Sequence, residues 1–293
     1  YCVRKYGMKK NTGSDLGFCL LYILPSFILL MTFSIIPILM NIFLSFTSYN
    51  VIQRPQPVWF DNYLRMLKDP YIGVLFTLII VPCQTVISLL LAAIIAANFK
   101  KTFGNFVRSA LFIPVIASSV LVGTLWSLLL SSYGPINELL KIFGLPAVNW
   151  FGGKISSIIG ISAATVWKHI GYFLVIFYAG ILDIPASLYE AAKVDGANPI
   201  QTFFNITLPG LSKITYLIIT LGTIWSFQIF DMVYTMTGGG PGLSTVTLVL
   251  TIYNTAFKEY NMGYASAIAL LMFILVVVIQ AVQKKLLAGG KDE

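Results

Sequence analysis

The chain has 293 residues, of which 57% are hydrophobic and only 10% charged, with a mean hydropathy of +0.85. Soluble domains carry about 25% charged residues, so this composition excludes an ordinary water-soluble globule and points to the bilayer as solvent. The formal net charge of +8 does not indicate nucleic acid, because the basic residues gather at the ends of apolar segments and no basic face with interleaved aromatics occurs.

Apolar runs long enough for spans of roughly 20 residues predict an all-α polytopic fold with about six transmembrane helices. In chain order they lie near Gly17–Phe46, Ile72–Phe99, Val107–Leu130, Ile155–Leu182, Ile214–Met236 and Met262–Val282. Residues 1–15 form a charged tail unlike a signal peptide. Residues 16–71 hold the first span and a Pro-containing outer loop, residues 72–284 the remaining core, and residues 285–293 a second tail. Cys2, Cys19 and Cys83 lack metal-ligand and redox spacing and read as small apolar residues.

Lys and Arg in short loops set orientation. Twelve fall on the side of both termini and of the connector at 183–213, six fall on the other, and Lys168 lies inside a span. Both termini and that connector are therefore expected in the cytoplasm. A phosphate loop requires G-x-x-x-x-G-K-[ST], which neither Gly153-Lys154 nor Gly290-Lys291 satisfies. Energy for active transport must then come from another subunit or from an ion gradient.

The connector at 183–213 is too polar for lipid and must face water. Ser187-Leu188-Tyr189-Glu190 has the spacing of a helix capping box. Ala191-Ala192 extend the helix with minimal side chains, and Asp195-Gly196 stop it. Asn198-Pro199 cap and open a second short helix, which Leu208-Pro209 are expected to end. Glu190, Ala191, Ala192, Gly196 and Pro209 thus form a candidate docking surface, although Glu190 capping its own helix explains the same residues.

Ionisable groups inside spans are functional hypotheses by default. Lys168 and His169 sit near the middle of the fourth predicted span, and Asp231 sits in the outer half of the fifth. Thr165, Lys168, His169 and Tyr172 share one helix face at i, i+3, i+4 and i+7, and Gly222, Trp225, Ser226 and Ile229 repeat that spacing. Aromatic faces with hydrogen-bonding groups suit a sugar. Ordinary helix packing, with Gly222 as a close-approach site, remains the alternative.

The spacing E-A-A-x3-G-x9-I-x-L-P, from Glu190 to Pro209, resembles the coupling-loop signature of the membrane subunits of bacterial ABC importers. Thr237-Gly238-Gly239-Gly240-Pro241, Gly263-Tyr264-Ala265-Ser266-Ala267, Leu24-Pro25 and Phe60-Asp61-Asn62-Tyr63 are similar to its carbohydrate branch, in particular the first permease of a maltose-type or multiple-sugar-type pair. The resemblance covers nearly the whole chain. It implies a type I importer transmembrane domain in a bacterial inner membrane, with no catalytic residue or metal. It also implies a second homologous permease, an extracellular sugar-binding protein and two cytoplasmic ATPase subunits that carry ATP and Mg, this chain binding no cofactor. Glu190 would then pair with a basic residue of an ATPase, and Ala191, Ala192 and Gly196 would permit close approach. Counting in register with that branch places substrate contacts on the two faces named above.

Rival expectations are a permease of the same family carrying glycerol phosphate, which Lys168 would suit, and an ion-coupled secondary transporter with helices broken at internal repeats. The coupling loop argues against the latter. An intramembrane enzyme lacks clustered carboxylates around the lone His169.

Overall fold

The computed structural model describes residues 22–66, 74–99 and 101–288. The tail at 1–15, the predicted starts of the first two spans at Gly17 and Ile72, Lys100, and the end of the chain beyond 288 lie outside the described residues.

Helix α1 (Tyr22–Ser45) widens by a π turn over Met31–Ile35, and its apolar stretch is unburied along its length. An excursion follows, with an antiparallel ladder of β1 (Thr47–Ser48) and β2 (Gln56–Pro57) and the short helix α2 (Asp61–Met66). The core is built on α3 (Val74–Asn98) and α7 (Lys154–Asp183). At about 1.5 Å per residue, the 30 residues of α7 exceed the roughly 30 Å hydrocarbon thickness, so this helix reaches past the hydrocarbon core at one end or both.

Between them run α4 (Lys101–Ile116), α5 (Ser119–Leu129) and the short helix α6 (Pro135–Ile142). After α7 come α8 (Ala186–Val194), α9 (Pro199–Gly210), α10 (Ser212–Phe227), α11 (Asp231–Met236), α12 (Leu248–Tyr253) and α13 (Met262–Gln283). Four described helices are long and apolar enough to cross a membrane, or up to six if each bent pair is one span.

The predicted third span is such a pair. The chain turns by 99° between α4 and α5 at Ala117-Ser118, two residues beyond the helix-end Pro114-Val115-Ile116. The predicted fifth span ends early, at Phe227, and the chain restarts at Asp231 as α11. Gln228-Ile229-Phe230 form the second interruption. Residues 131–154, expected as a loop, contain α6. Its buried Asn137 donates to the carbonyls of Ser131, Ser132 and Val148 and accepts from the Val148 amide and the Trp150 indole. One amide side chain thus satisfies a backbone that has no ladder of its own.

Packing without water between helices depends on close fit rather than on the hydrophobic effect. One cluster joins Phe76 and Ile80 of α3 to Val122 of α5, Ile161 of α7, and Met232 and Val233 of α11. A second joins Leu89, Ala92 and Ile95 of α3 to Phe173, Leu174 and Phe177 of α7, together with Leu211 and Ile218. Between these clusters α3 carries Gln84, Thr85 and Ser88, all buried, and the Ser88 hydroxyl donates to the Ile170 carbonyl at 3.1 Å. Both chain interruptions lie with the first cluster, Ile229 within it and Ala117 and Phe230 against it.

Glycine sets the closest approach. A Cβ at Gly171 would lie 2.1 Å from the Leu111 carbonyl oxygen, so α4 and α7 touch backbone to side-chain-free backbone.

Candidate functional site

Two features carry the functional argument: the exposed loop of α8 and α9, and a cavity at the helix interruptions.

Helix α8 begins two residues earlier than the Ser187–Glu190 capping box predicts. Pro185, with extended backbone, is the N-cap and makes no side-chain cap bond. Ser187 is therefore already inside the first turn, and the expected Ser187–Glu190 capping box does not form. The other end is as expected. Gly196 adopts φ +73°, and the Ala197 amide donates to the Ala192 carbonyl at 2.9 Å, closing the helix with a left-handed residue that glycine tolerates.

Asn198 caps α9 reciprocally: its side chain accepts from the Gln201 amide at 2.8 Å, and the Gln201 side chain accepts from the Asn198 amide at 2.9 Å. Pro209 does not end this helix. The chain widens into a π turn over Phe203–Thr207, continues helically through Gly210, and bends by 69° at Leu211 into α10. Pro209 falls in the first positions of the turn after the π segment, where its missing N–H costs no regular helical bond.

Glu190, Ala191, Gly196 and Pro209 are exposed and Ala192 is half-buried. Around them, Leu188, Val194, Ile200 and Phe204 also project into solvent, Val194 with 87% of its surface accessible. The loop is nevertheless anchored. The Tyr189 and Thr207 hydroxyls hydrogen-bond at 3.1 Å, and Leu211 is completely buried against the α7 cluster. An apolar, small-residue surface on a firmly rooted hairpin has the character of a docking face.

The cavity measures about 210 Å³ and is lined by Ser119, Thr165, Lys168, His169, Trp225, Gln228, Ile229, Phe230, Asp231 and Met232. Six of the expected residues meet there: Thr165, Lys168, His169, Trp225, Ile229 and Asp231. Three do not line it. Tyr172 lies behind Trp225, with ring centroids 5.0 Å apart, in a group that includes His169 at 5.2 Å and Phe173 at 5.4 Å from the indole. Gly222 faces α3, where a Cβ would meet Gln84 Nε2 at 2.1 Å. Ser226 is buried and donates to Thr77 Oγ1 at 2.9 Å. The two helical faces are correct as faces, but their far edges pack against neighbours.

Lys168 also departs from expectation. Its ammonium reaches the carbonyls of Pro114 at 3.4 Å, Val115 at 3.2 Å and Ala117 at 2.5 Å. These are open carbonyls at the end of α4, which the helix itself cannot satisfy. Thr165 likewise turns its hydroxyl back to the Ile161 carbonyl at 2.8 Å. The residues that sequence reasoning missed are Ser119, Gln228, Phe230 and Met232, each beside an interruption. The available signals were Pro114 followed by Ser118-Ser119, and Gln228 three residues from Asp231 inside an apolar run.

Among the described residues no group of three or more His, Cys, Asp or Glu could hold a metal ion. The architecture is that of a membrane protein with a solvent-facing hairpin and a cavity at mid-helix breaks. The family described as binding-protein-dependent transport system inner membrane component matches residues 85–288, and the chain belongs to it. It is accordingly a multi-pass membrane transport component and not an enzyme.

The chain is 31% identical over 283 residues to the probable ABC transporter permease protein YurN of Bacillus subtilis, covering 93% of this chain and 97% of that one. It is 34% identical over 278 residues to the trehalose/maltose transport system permease protein MalF of Thermococcus litoralis, covering 91% and 92%. A subunit of a bacterial alginate ABC transporter, crystallised with an alginate pentasaccharide-bound periplasmic protein, superposes with a TM-score of 0.81 at 20% identity over 94% of this chain and 96% of the other. That last likeness is one of fold.

Proposed function

We propose that this chain is a permease subunit of an ATP-driven importer, passing a sugar or oligosaccharide from an extracellular binding protein to the cytoplasm across a bacterial inner membrane. It works beside a second homologous permease. Two ATPase subunits on the cytoplasmic side carry the ATP and Mg, and this chain needs no cofactor. Both termini and the 183–213 loop lie in the cytoplasm, as the bias of basic residues indicates.

The observation that carries this reading is the hairpin of α8 and α9. It exposes Glu190, Ala191 and four apolar side chains to solvent while its base is locked into the core through Leu211. A surface so placed converts movement of a docked partner into movement of α7 and α10 as rigid bodies. Those same two helices contribute Lys168, His169 and Trp225 to the cavity, so a displacement at the loop is transmitted to the cargo site along continuous helix.

The cavity supports a carbohydrate cargo. Trp225 and Phe230 offer aromatic faces to C–H surfaces, and His169, Gln228 and Asp231 offer hydrogen-bonding groups to hydroxyls. At about 210 Å³ it is smaller than the roughly 300–1,000 Å³ typical of a small-molecule site. A second permease supplies the rest.

Two substitutions test the reading in the complete complex reconstituted with its binding protein. Glu190→Ala should leave assembly intact but separate ATP hydrolysis from uptake. Normal uptake in that variant removes the coupling role. Trp225→Ala should weaken the apparent affinity for cargo by about tenfold, the scale of one lost aromatic contact. Unchanged affinity and selectivity move the cargo site away from this face.

A further inference from the structure

Phe230 lines the cavity and also begins a run of aromatic rings that leads away from it. Its ring centroid lies 5.3 Å from that of Tyr234, in a stacked arrangement, and 5.1 Å from that of Tyr253. Tyr253 in turn lies 5.5 Å from Tyr234 and 5.5 Å from Phe257. Tyr234 and Phe257 keep 43% and 61% of their surface accessible. The Lys258 ammonium sits 5.6 Å from the centroid of Tyr234 and 5.8 Å from that of Tyr253. That is within cation–π range of both, so it ties together two tyrosines from separate elements.

The elements that carry these rings sort their residues by face. Helix α11 buries Met232, Val233 and Met236 and leaves Asp231 and Tyr234, one turn apart, exposed. After α12, a π turn over Asn254–Lys258 buries Thr255 and Ala256 and leaves Phe257 exposed. Rings therefore occupy the face that continues the cavity. Its place in the bundle is fixed by packing. Helix α11 joins the cluster of Ile158, Ile161, Ala164 and Val166 in the first half of α7, whereas the hairpin is rooted at Phe177 and Ile181 in the second half. The rings thus lie at the end of the bundle remote from the hairpin, where cargo arrives on the reading above. Rings edged with two phenol hydroxyls and an ammonium suit a saccharide, whose C–H faces pack on aromatics and whose hydroxyls need hydrogen-bond partners.

We infer that Tyr234, Tyr253 and Phe257 form a second sugar subsite, contiguous through Phe230 with the cavity, which engages the units of an oligosaccharide that the cavity does not hold. The inference rests on the reading of that cavity as the cargo site. A short saccharide then meets the cavity alone, and a longer one meets cavity and rings together, so the rings read the chain length of the cargo.

The test uses the purified complex of both permeases and both ATPases in nanodiscs, without the binding protein, which would itself take up the probe. Calorimetric titration compares disaccharides with pentasaccharides of the malto, cello and arabino series. In at least one series the pentasaccharide should bind more tightly than the disaccharide. Tyr253→Leu combined with Phe257→Leu should lower the pentasaccharide affinity about tenfold and leave the disaccharide affinity unchanged. Tyr253→Phe should keep both affinities, and Trp225→Ala should weaken both. Equal affinities for the two lengths in the unmodified complex overturn the subsite, as does a double leucine variant that affects both lengths alike or neither. The ring face then meets lipid or the second permease, and the cavity reading stands. Unchanged affinities in Trp225→Ala, or no binding in any series, instead remove the cavity as cargo site and the inference with it. If the double variant does not assemble, Phe257→Leu alone, at the most exposed of the four rings, decides.

Discussion

At the scale of single residues, the same residue type serves different ends according to what it faces. Gly171 and Gly222 both permit close helix packing, but their neighbours differ. A Cβ at Gly171 meets the Leu111 carbonyl of the α4 backbone, whereas one at Gly222 meets the amide end of Gln84. Backbone cannot step aside and a side-chain terminus can. Gly171→Ala should therefore destabilise by about 1–3 kcal/mol, as overpacking does, and Gly222→Ala by less. Thermal unfolding of the purified complex ranks them, and equal midpoints contradict the packing account. Lys168 shows why charge inside a span is ambiguous from sequence. Its mid-span position was legible, as was the face it shares with Thr165 and His169. Its acceptors were not, because carbonyls open to a side chain exist only once α4 has broken, and that break depends on packing between distant segments.

At the scale of elements, local chemistry was legible where the determinants are adjacent in sequence. Asn198 caps α9 as the Asn-Pro start suggested, the reciprocal bond from Gln201 being added by the structure, and Gly196 closes α8 in the left-handed conformation. Ser187 and Glu190 have an equally good spacing and make no cap, because Pro185 starts the helix ahead of them. The hairpin should respond accordingly. Asn198→Ala should cost about 1 kcal/mol of local stability and speed hydrogen exchange at the amides of 200–204, whereas Ser187→Ala should leave exchange in α8 unchanged. The reverse pattern contradicts the capping assignment. The π segment at Phe203–Thr207 and the helical continuation to Gly210 had no sequence signal.

At the scale of the whole molecule, run length alone located all six apolar segments, and the α3–α7 pair at the centre follows from their being the spans with buried polar faces. The third and fifth segments read as single apolar runs by length, and their marks of discontinuity, Pro114 before Ser118-Ser119 and Gln228 near Asp231, are local. Yet the 99° turn between α4 and α5 and the gap at Gln228–Phe230 are what open the cavity. The helices after the breaks then pack together, Gly123 of α5 lying against Thr235 of α11. Broken helices also occur in ion-coupled transporters, so the breaks do not by themselves identify the energy source; the proposal of ATP-driven import rests on the hairpin as docking face.

The most direct measurement is cargo uptake into proteoliposomes holding the complete complex and its binding protein, compared with internal ATP and with an imposed proton or sodium gradient alone. The account predicts uptake that requires ATP and both ATPase subunits, ignores the gradient, and is lost in Glu190→Ala while hydrolysis continues. Uptake driven by a gradient without ATPase subunits contradicts it.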